Sequence, residues 1–243
     1  WAWIERGRLA IRFGRLDEAE TAARTAETTA EQAGDERSQA VAWHDLGVVR
    51  QARGDLAGAE AAFKEYERSS AERAAGDPSN TEWQSDLSVS HERIGDVRVA
   101  RGELGGALAS YEAGLAIRER LAAGDRSNTE WQRDLSVSHD KIGDVRRAQG
   151  ELAAALAAYG AGLAICERLA AGDASNTEWQ RDLIVSNGKL AEVATAKDDA
   201  ATAAGRYRAA LAVAERLEEA GRLAPRDAWM PEELRRRLGG LGG

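Results

Sequence analysis

A segment of 48 residues occurs twice in succession in this chain and begins a third time in diverged form. Gly124 to Ala171 opens GDRSNTEWQRDLSVSHDKIGDV and closes GELAAALAAYGAGLAICERLAA, and about three quarters of its positions match Gly76 to Ala123. GDASNTEWQRDL at Gly172 opens the diverged copy. Trp83, Trp131 and Trp179 mark the period, as do Tyr111, Tyr159 and Tyr207. A period of this size predicts a solenoid, in which each unit buries its apolar face only against its neighbours. One elongated array is therefore expected in place of one or two compact domains.

The unit from Gly124 shows how such a sequence folds. Ser127 or Asn128 supplies an N-cap oxygen, and Glu130 falls in the first turn, where a carboxylate suits the helix dipole. Trp131, Leu135, His139, Ile142 and Val145 recur at steps of three and four, which predicts one buried helical stripe. Gly150 stops that helix, and Leu152, Leu156, Tyr159, Leu163 and Ile165 form the stripe of a second helix ending near Gly172. So short a connection makes the two helices antiparallel. The same grammar runs upstream through Trp43, Gly47, Gly54, Ala59 and Phe63 and through Trp3, Gly7, Gly14, Leu16 and Ala19. Downstream it runs through Leu190, Ala191, Ala203, Tyr207 and Leu211, with Asp198 in the place of the inter-helix glycine. Alanine, leucine, arginine and glutamate dominate, and no alternating strand pattern occurs, so the fold class is all-α. Five helix pairs are expected at about 1–35, 36–76, 77–124, 125–172 and 173–221, followed over 222–243 by a capping helix, PEELRRRL, and a tail.

The net charge of -8, with no Lys/Arg run that stands out, argues against a nucleic-acid partner and favours a basic peptide or protein surface. No apolar run is read as approaching a membrane span, and no signal peptide is read before the repeats. The single cysteine, Cys166, fits a reducing compartment, so a cytoplasmic setting is expected. The first residue, Trp1, suggests a fragment of a larger protein, and the bias toward arginine and alanine suggests a bacterial source.

The spacing resembles the tetratricopeptide (TPR) family: Trp43, Leu46, Gly47, Ala59 and Phe63 in one unit, Ile94, Gly95, Ala107 and Tyr111 in the next, then Ile142, Gly143, Ala155 and Tyr159. The resemblance implies an α-α superhelical solenoid of TPR-like hairpins. Departures are Arg50, Arg98 and Arg146 where an aromatic is usual, His91 and His139 in the Trp seat, and units longer than the family's 34 residues. In such arrays the first helix of each unit lines the concave groove. The resemblance thus implies a non-enzymatic protein-interaction scaffold binding a peptide or protein segment, as the sensor or regulatory part of a larger bacterial multidomain protein. The alternatives are a structural self-assembly module that stacks head-to-tail through its array ends, and a part of an enzyme.

Arg133, Val137, Asp140, Asp144 and Arg147 share one face of their helix by spacing, and with His44, Glu92, Asp96, Arg181 and Glu192 they make the candidate groove set. The acids Glu92, Asp96, Asp140, Asp144 and Glu192 would form a ladder whose mutual repulsion a basic ligand relieves. No catalytic residues are assigned, because an open helical groove neither excludes water nor fixes a substrate. No metal or other cofactor is expected: His91 and His139 lack converging ligands, and Cys166, which replaces Arg118 of the preceding unit, reads as a tolerant surface position. The three periodic tryptophans read as core wedges. Trp1, Trp3 and Trp229, if exposed, mark where a partner continues the stack.

Overall fold

The computed structural model describes residues 2–241. Its helices are α1 (Ala2–Arg12), α2 (Leu16–Ala33), α3 (Glu36–Ala52), α4 (Leu56–Gly76), α5 (Thr81–Ala100), α6 (Leu104–Gly124), α7 (Thr129–Ala148), α8 (Leu152–Gly172), α9 (Thr177–Ala196), α10 (Ala200–Glu219) and α11 (Met230–Gly240). A 3-10 turn, Pro225–Asp227, precedes α11, and no strand occurs among the described residues. The chain forms two compact units, Trp1–Leu121 and Ala122–Gly243.

Within the first unit, α2 packs on α1 and α3, and α4 packs on α3 and α5. Its core is made of small clusters, such as Ala59, Phe63, Ile94 and Val97. Within the second, α8 packs on α7 and α9, and α10 packs on α9 and α11. Ala155, Tyr159, Leu163, Leu190 and Val193 form one cluster there. Ile184, Ala191, Tyr207, Val213, Leu217, Met230 and Leu234 form another, through which α11 covers apolar surface of α9 and α10.

The repeat rests on local devices that recur in register. Asn80, Asn128 and Asn176 cap α5, α7 and α9 by accepting from the backbone N–H of Trp83, Trp131 and Trp179 at 3.1–3.2 Å. Asparagine, not Ser127, thus holds the cap; Ser127 donates its hydroxyl to Asp125 in the preceding loop. The turns inside the hairpins need a left-handed residue, supplied by Gly54, Gly102 and Gly150 and, in the last hairpin, by Asp198 at φ 59°.

Close approach of each hairpin's two helices depends on a glycine facing an aromatic ring. A Cβ at Gly47, Gly95 or Gly143 would enter the ring of Phe63, Tyr111 or Tyr159. Where the family has an aromatic, Arg50 and Arg98 reach across the hairpin and donate to the carbonyls of Gly58 and Gly106 at 3.0 and 3.1 Å.

Several expectations need correction. Trp83, Trp131 and Trp179 are half-buried, not core, and Leu135 and His139 are likewise only half-buried. The N-terminal half of α7 buries Gln132, Ser136 and Ser138 instead. Their polar atoms are satisfied locally: Gln132 donates to the carbonyl of Ala122, and Ser136 and Ser138 donate to Arg133 and Asp134. Cys166 is buried, not a surface position, with its sulfur 3.6 Å from the Ser186 hydroxyl, and burial pushes its thiol up from the ordinary value. The expectation of no membrane-length apolar run also fails, because α8 is long and apolar enough by length and composition. Its apolarity has a packing cause: α8 lies between α7 and α9 and buries Ala155, Tyr159, Gly162, Leu163, Ile165, Cys166, Leu169 and Ala170. Trp1 lies outside the described residues.

Candidate functional site

In the first unit, three of the candidate residues are engaged by the protein itself. His44 packs edge-on against Tyr66, ring centroids 5.4 Å apart, with Nδ1 3.1 Å from Asp45. Glu92 pairs with the buried Arg118 at 2.6 Å, so the second helix of the hairpin answers the carboxylate of the first. Asp96 accepts from the Tyr111 hydroxyl at 2.7 Å.

In the second unit, the structure brings Asp140, Asp144, Arg147 and Glu192 together along α7 and α9. Lys189 of α9 lies 2.8 Å from Asp144 and 3.7 Å from Asp140. Tyr159 donates its hydroxyl to Asp144 at 2.6 Å, and the Lys189 ammonium stands 5.4 Å from that ring's centroid. Glu192 serves two guanidiniums, Arg147 at 2.8 Å and Arg237 of α11 at 2.6 Å. Arg237 also lies over the Tyr207 ring, so it repeats one hairpin later the station of Lys189. Arg133 and Arg181 sit nearer the starts of α7 and α9 and pair onward, with Asp182 at 2.6 Å and with the buried Asp227 at 3.0 Å. Val137 is half-buried.

The acids are therefore not an unrelieved ladder, since bases of the same chain stand beside them. Asp140 carries a large upward carboxyl shift, opposite in direction to that of Glu233, whose carboxyl Arg236 and Arg237 hold well below the usual range. Burial, followed by the charges of Asp144 and Asp182, pushes Asp140 up to about 6 in spite of the Lys189 ammonium. Its Oδ1 is buried with no hydrogen-bond partner. In the preceding hairpin Glu92 at the same register is answered by Arg118, whereas the hairpin of Asp140 has Cys166 in the place of that arginine.

Asp144, Arg147, Lys189 and Glu192 edge a cleft of about 260 Å³ that also takes in Ile184, Val185, Gly188, Tyr207, Trp229, Met230, Glu233, Leu234 and Arg237. Ile184, Tyr207, Met230 and Leu234 are buried, while Trp229 is 59% exposed. The arrangement offers an apolar interior inside a rim of paired charges, the usual make-up of a ligand-binding cleft. Among the described residues no group of three or more His, Cys, Asp or Glu side chains is placed to hold a metal. Sequence reading missed Gly188, Lys189, Trp229 and Arg237. Register would have found two of them, because Lys189 and Arg237 stand 48 positions apart.

Helical hairpins locked by a glycine–aromatic contact and repeated in register define the TPR-like class of helical-repeat fold. Solved structures carry the same fold. BtubC (BKLC) from P. vanneervenii is 16% identical, with a TM-score of 0.71, over 93% of this chain and 82% of that one. The apo form of RapI is 14% identical, also at a TM-score of 0.71, over 98% of this chain but only 63% of its own length. A Podosopora anserina protein of nearly identical TPR-like repeats is 16% identical at a TM-score of 0.67, covering 90% of this chain and 95% of that one. No protein-family model matches the sequence, and no curated protein does. At these identities the likeness speaks for the fold, which is that of a TPR-type repeat protein.

Proposed function

We propose that the chain is a protein-interaction scaffold that binds a segment of a partner protein on the face shared by α7, α9 and α11. The observation that carries this reading is the cleft edged by Asp144, Arg147, Lys189 and Glu192, which exposes apolar surface inside a charged rim. A site built on packed helices is already formed before the partner arrives, so little ordering cost falls on the protein. The TPR-like fold supports a scaffold role by analogy. In a larger bacterial protein, such a module would sense a partner or hold a neighbouring effector.

A random-peptide library panned on the immobilised chain is expected to enrich peptides that bind this face. Val185→Asp, which puts a charge at the half-buried edge of the cleft, is expected to weaken them about tenfold or more, the scale of losing an interface anchor. Asp17→Ala, on the first unit, is expected to leave them unchanged. Failure to enrich any peptide, or equal binding by the wild type and Val185→Asp, would contradict the reading.

A further inference from the structure

One register position on the first helices changes character from hairpin to hairpin: His44 in α3, Glu92 in α5, Asp140 in α7 and Gly188 in α9. In α3, α5 and α7 the side chain is engaged, by Tyr66, by Arg118 and by Lys189. In α9 it is missing. Its counterpart on the second helix has been cut down in step, from Arg118 to Cys166 to Ala214. Glycine inside a helix of 20 residues costs helix stability relative to alanine, yet here it contacts no ring as Gly47, Gly95 and Gly143 do. A Cβ at Gly188 would meet nothing within 4 Å. The open space is part of the cleft, beside buried Ile184, Tyr207, Met230 and Leu234 and the exposed Trp229.

Charge at the rim adds a second requirement. Asp144 already has two partners, the Tyr159 hydroxyl and Lys189. Arg147 has one contact, through Nη1 to a Glu192 that it shares with Arg237, and its side chain is 43% exposed. A guanidinium offers five N–H donors, so Arg147 is the rim group with most capacity left, and that capacity is for a carboxylate.

Resting on the scaffold reading above, we propose that the notch left by Gly188 receives a bulky apolar side chain of the partner segment, and that Arg147 binds an acidic residue close to it. The occupant is an acidic-apolar segment. Entry of one large side chain between Trp229 and the buried apolar residues removes both from water and anchors the segment, while the ion pair at Arg147 sets its direction.

The test uses peptides enriched on the full chain. They are expected to share a Leu, Phe or Trp near an Asp or Glu, and to lose about tenfold or more in affinity when that apolar residue becomes alanine. Gly188→Phe, with Gly188→Leu as a second plug, is expected to abolish binding while the circular dichroism spectrum is kept and Tm does not fall, because the space is open and the glycine it replaces is a poor helix former. Arg147→Gln is expected to weaken acidic peptides and to leave variants lacking the acid unaffected. If peptides weakened by Val185→Asp still bind Gly188→Phe and Gly188→Leu as they bind the wild type, the notch assignment is overturned and the scaffold reading stands. If nothing is enriched, both fall together.

Discussion

Replacing Tyr159 with alanine is expected to lower the stability of the chain by about 3–5 kcal/mol, the range for deleting a fully buried aromatic ring. The ring is completely buried, fills the space opposite Gly143 and belongs to the cluster of Ala155, Leu163, Leu190 and Val193. It therefore ties α8 to α7 and to α9 at once. Neither helix can collapse onto the cavity without losing its other contacts, which places the loss toward the upper end. Tyr159→Phe separates packing from polarity. It keeps the ring and removes one hydrogen bond to Asp144, which retains Lys189, so a loss of about 1 kcal/mol is expected. Urea unfolding of the three chains checks both figures. Equal losses for Phe and Ala would mean that the hydroxyl, not the ring, holds the hairpin.

Asp140→Asn is expected to make the chain more stable at pH 8, by about 2–3 kcal/mol, with the gain vanishing as pH falls to 4. The sign follows from the direction of the shift. The folded carboxyl releases its proton at about 6 and the unfolded one at the ordinary 3.8. Between those values the folded state binds more proton than the unfolded state, so stability falls as pH rises through the window and levels off above it. Burial, with the charges of Asp144 and Asp182, outweighs the attraction of Lys189, so the folded value lies above 3.8. Asparagine removes that net cost and leaves Lys189 its closer partner, Asp144. Thermal unfolding of both chains from pH 4 to 8 gives the result directly. A difference in Tm that does not vary with pH would show that burial does not perturb Asp140.

The hairpins were legible because the devices that make them are local and repeat. The period, the asparagine caps, the Gly150 and Asp198 turns and the pairing of Gly143 with Tyr159 each leave a trace within one unit of sequence. Burial on the first helices was less legible. Periodicity favours the largest apolar residues, but α7 buries Ser136 and Ser138, whose hydroxyls bond back to their own helix and so cost little inside. Cys166 misled for a related reason. It stands where the preceding unit has Arg118, and an arginine suggests solvent, yet Arg118 is itself buried against Glu92. The candidate site was half legible. Asp140, Asp144, Arg147 and Glu192 lie where spacing put them, but their neutralising partners come from the following first helix, 45 residues on in the pairs Asp144–Lys189 and Glu192–Arg237. No single helix displays such pairs. The notch at Gly188 is an absence, visible only when units are aligned and the missing side chain is asked for.

Hydrogen exchange of the full chain, with and without an enriched peptide, tests the central claim most directly. Bound peptide is expected to slow exchange in α7, α9 and α11 around Arg147, Gly188 and Arg237, and to leave the first unit at its free rates. Protection confined to α8 and α10, or to the first unit, would contradict the assignment of the binding face.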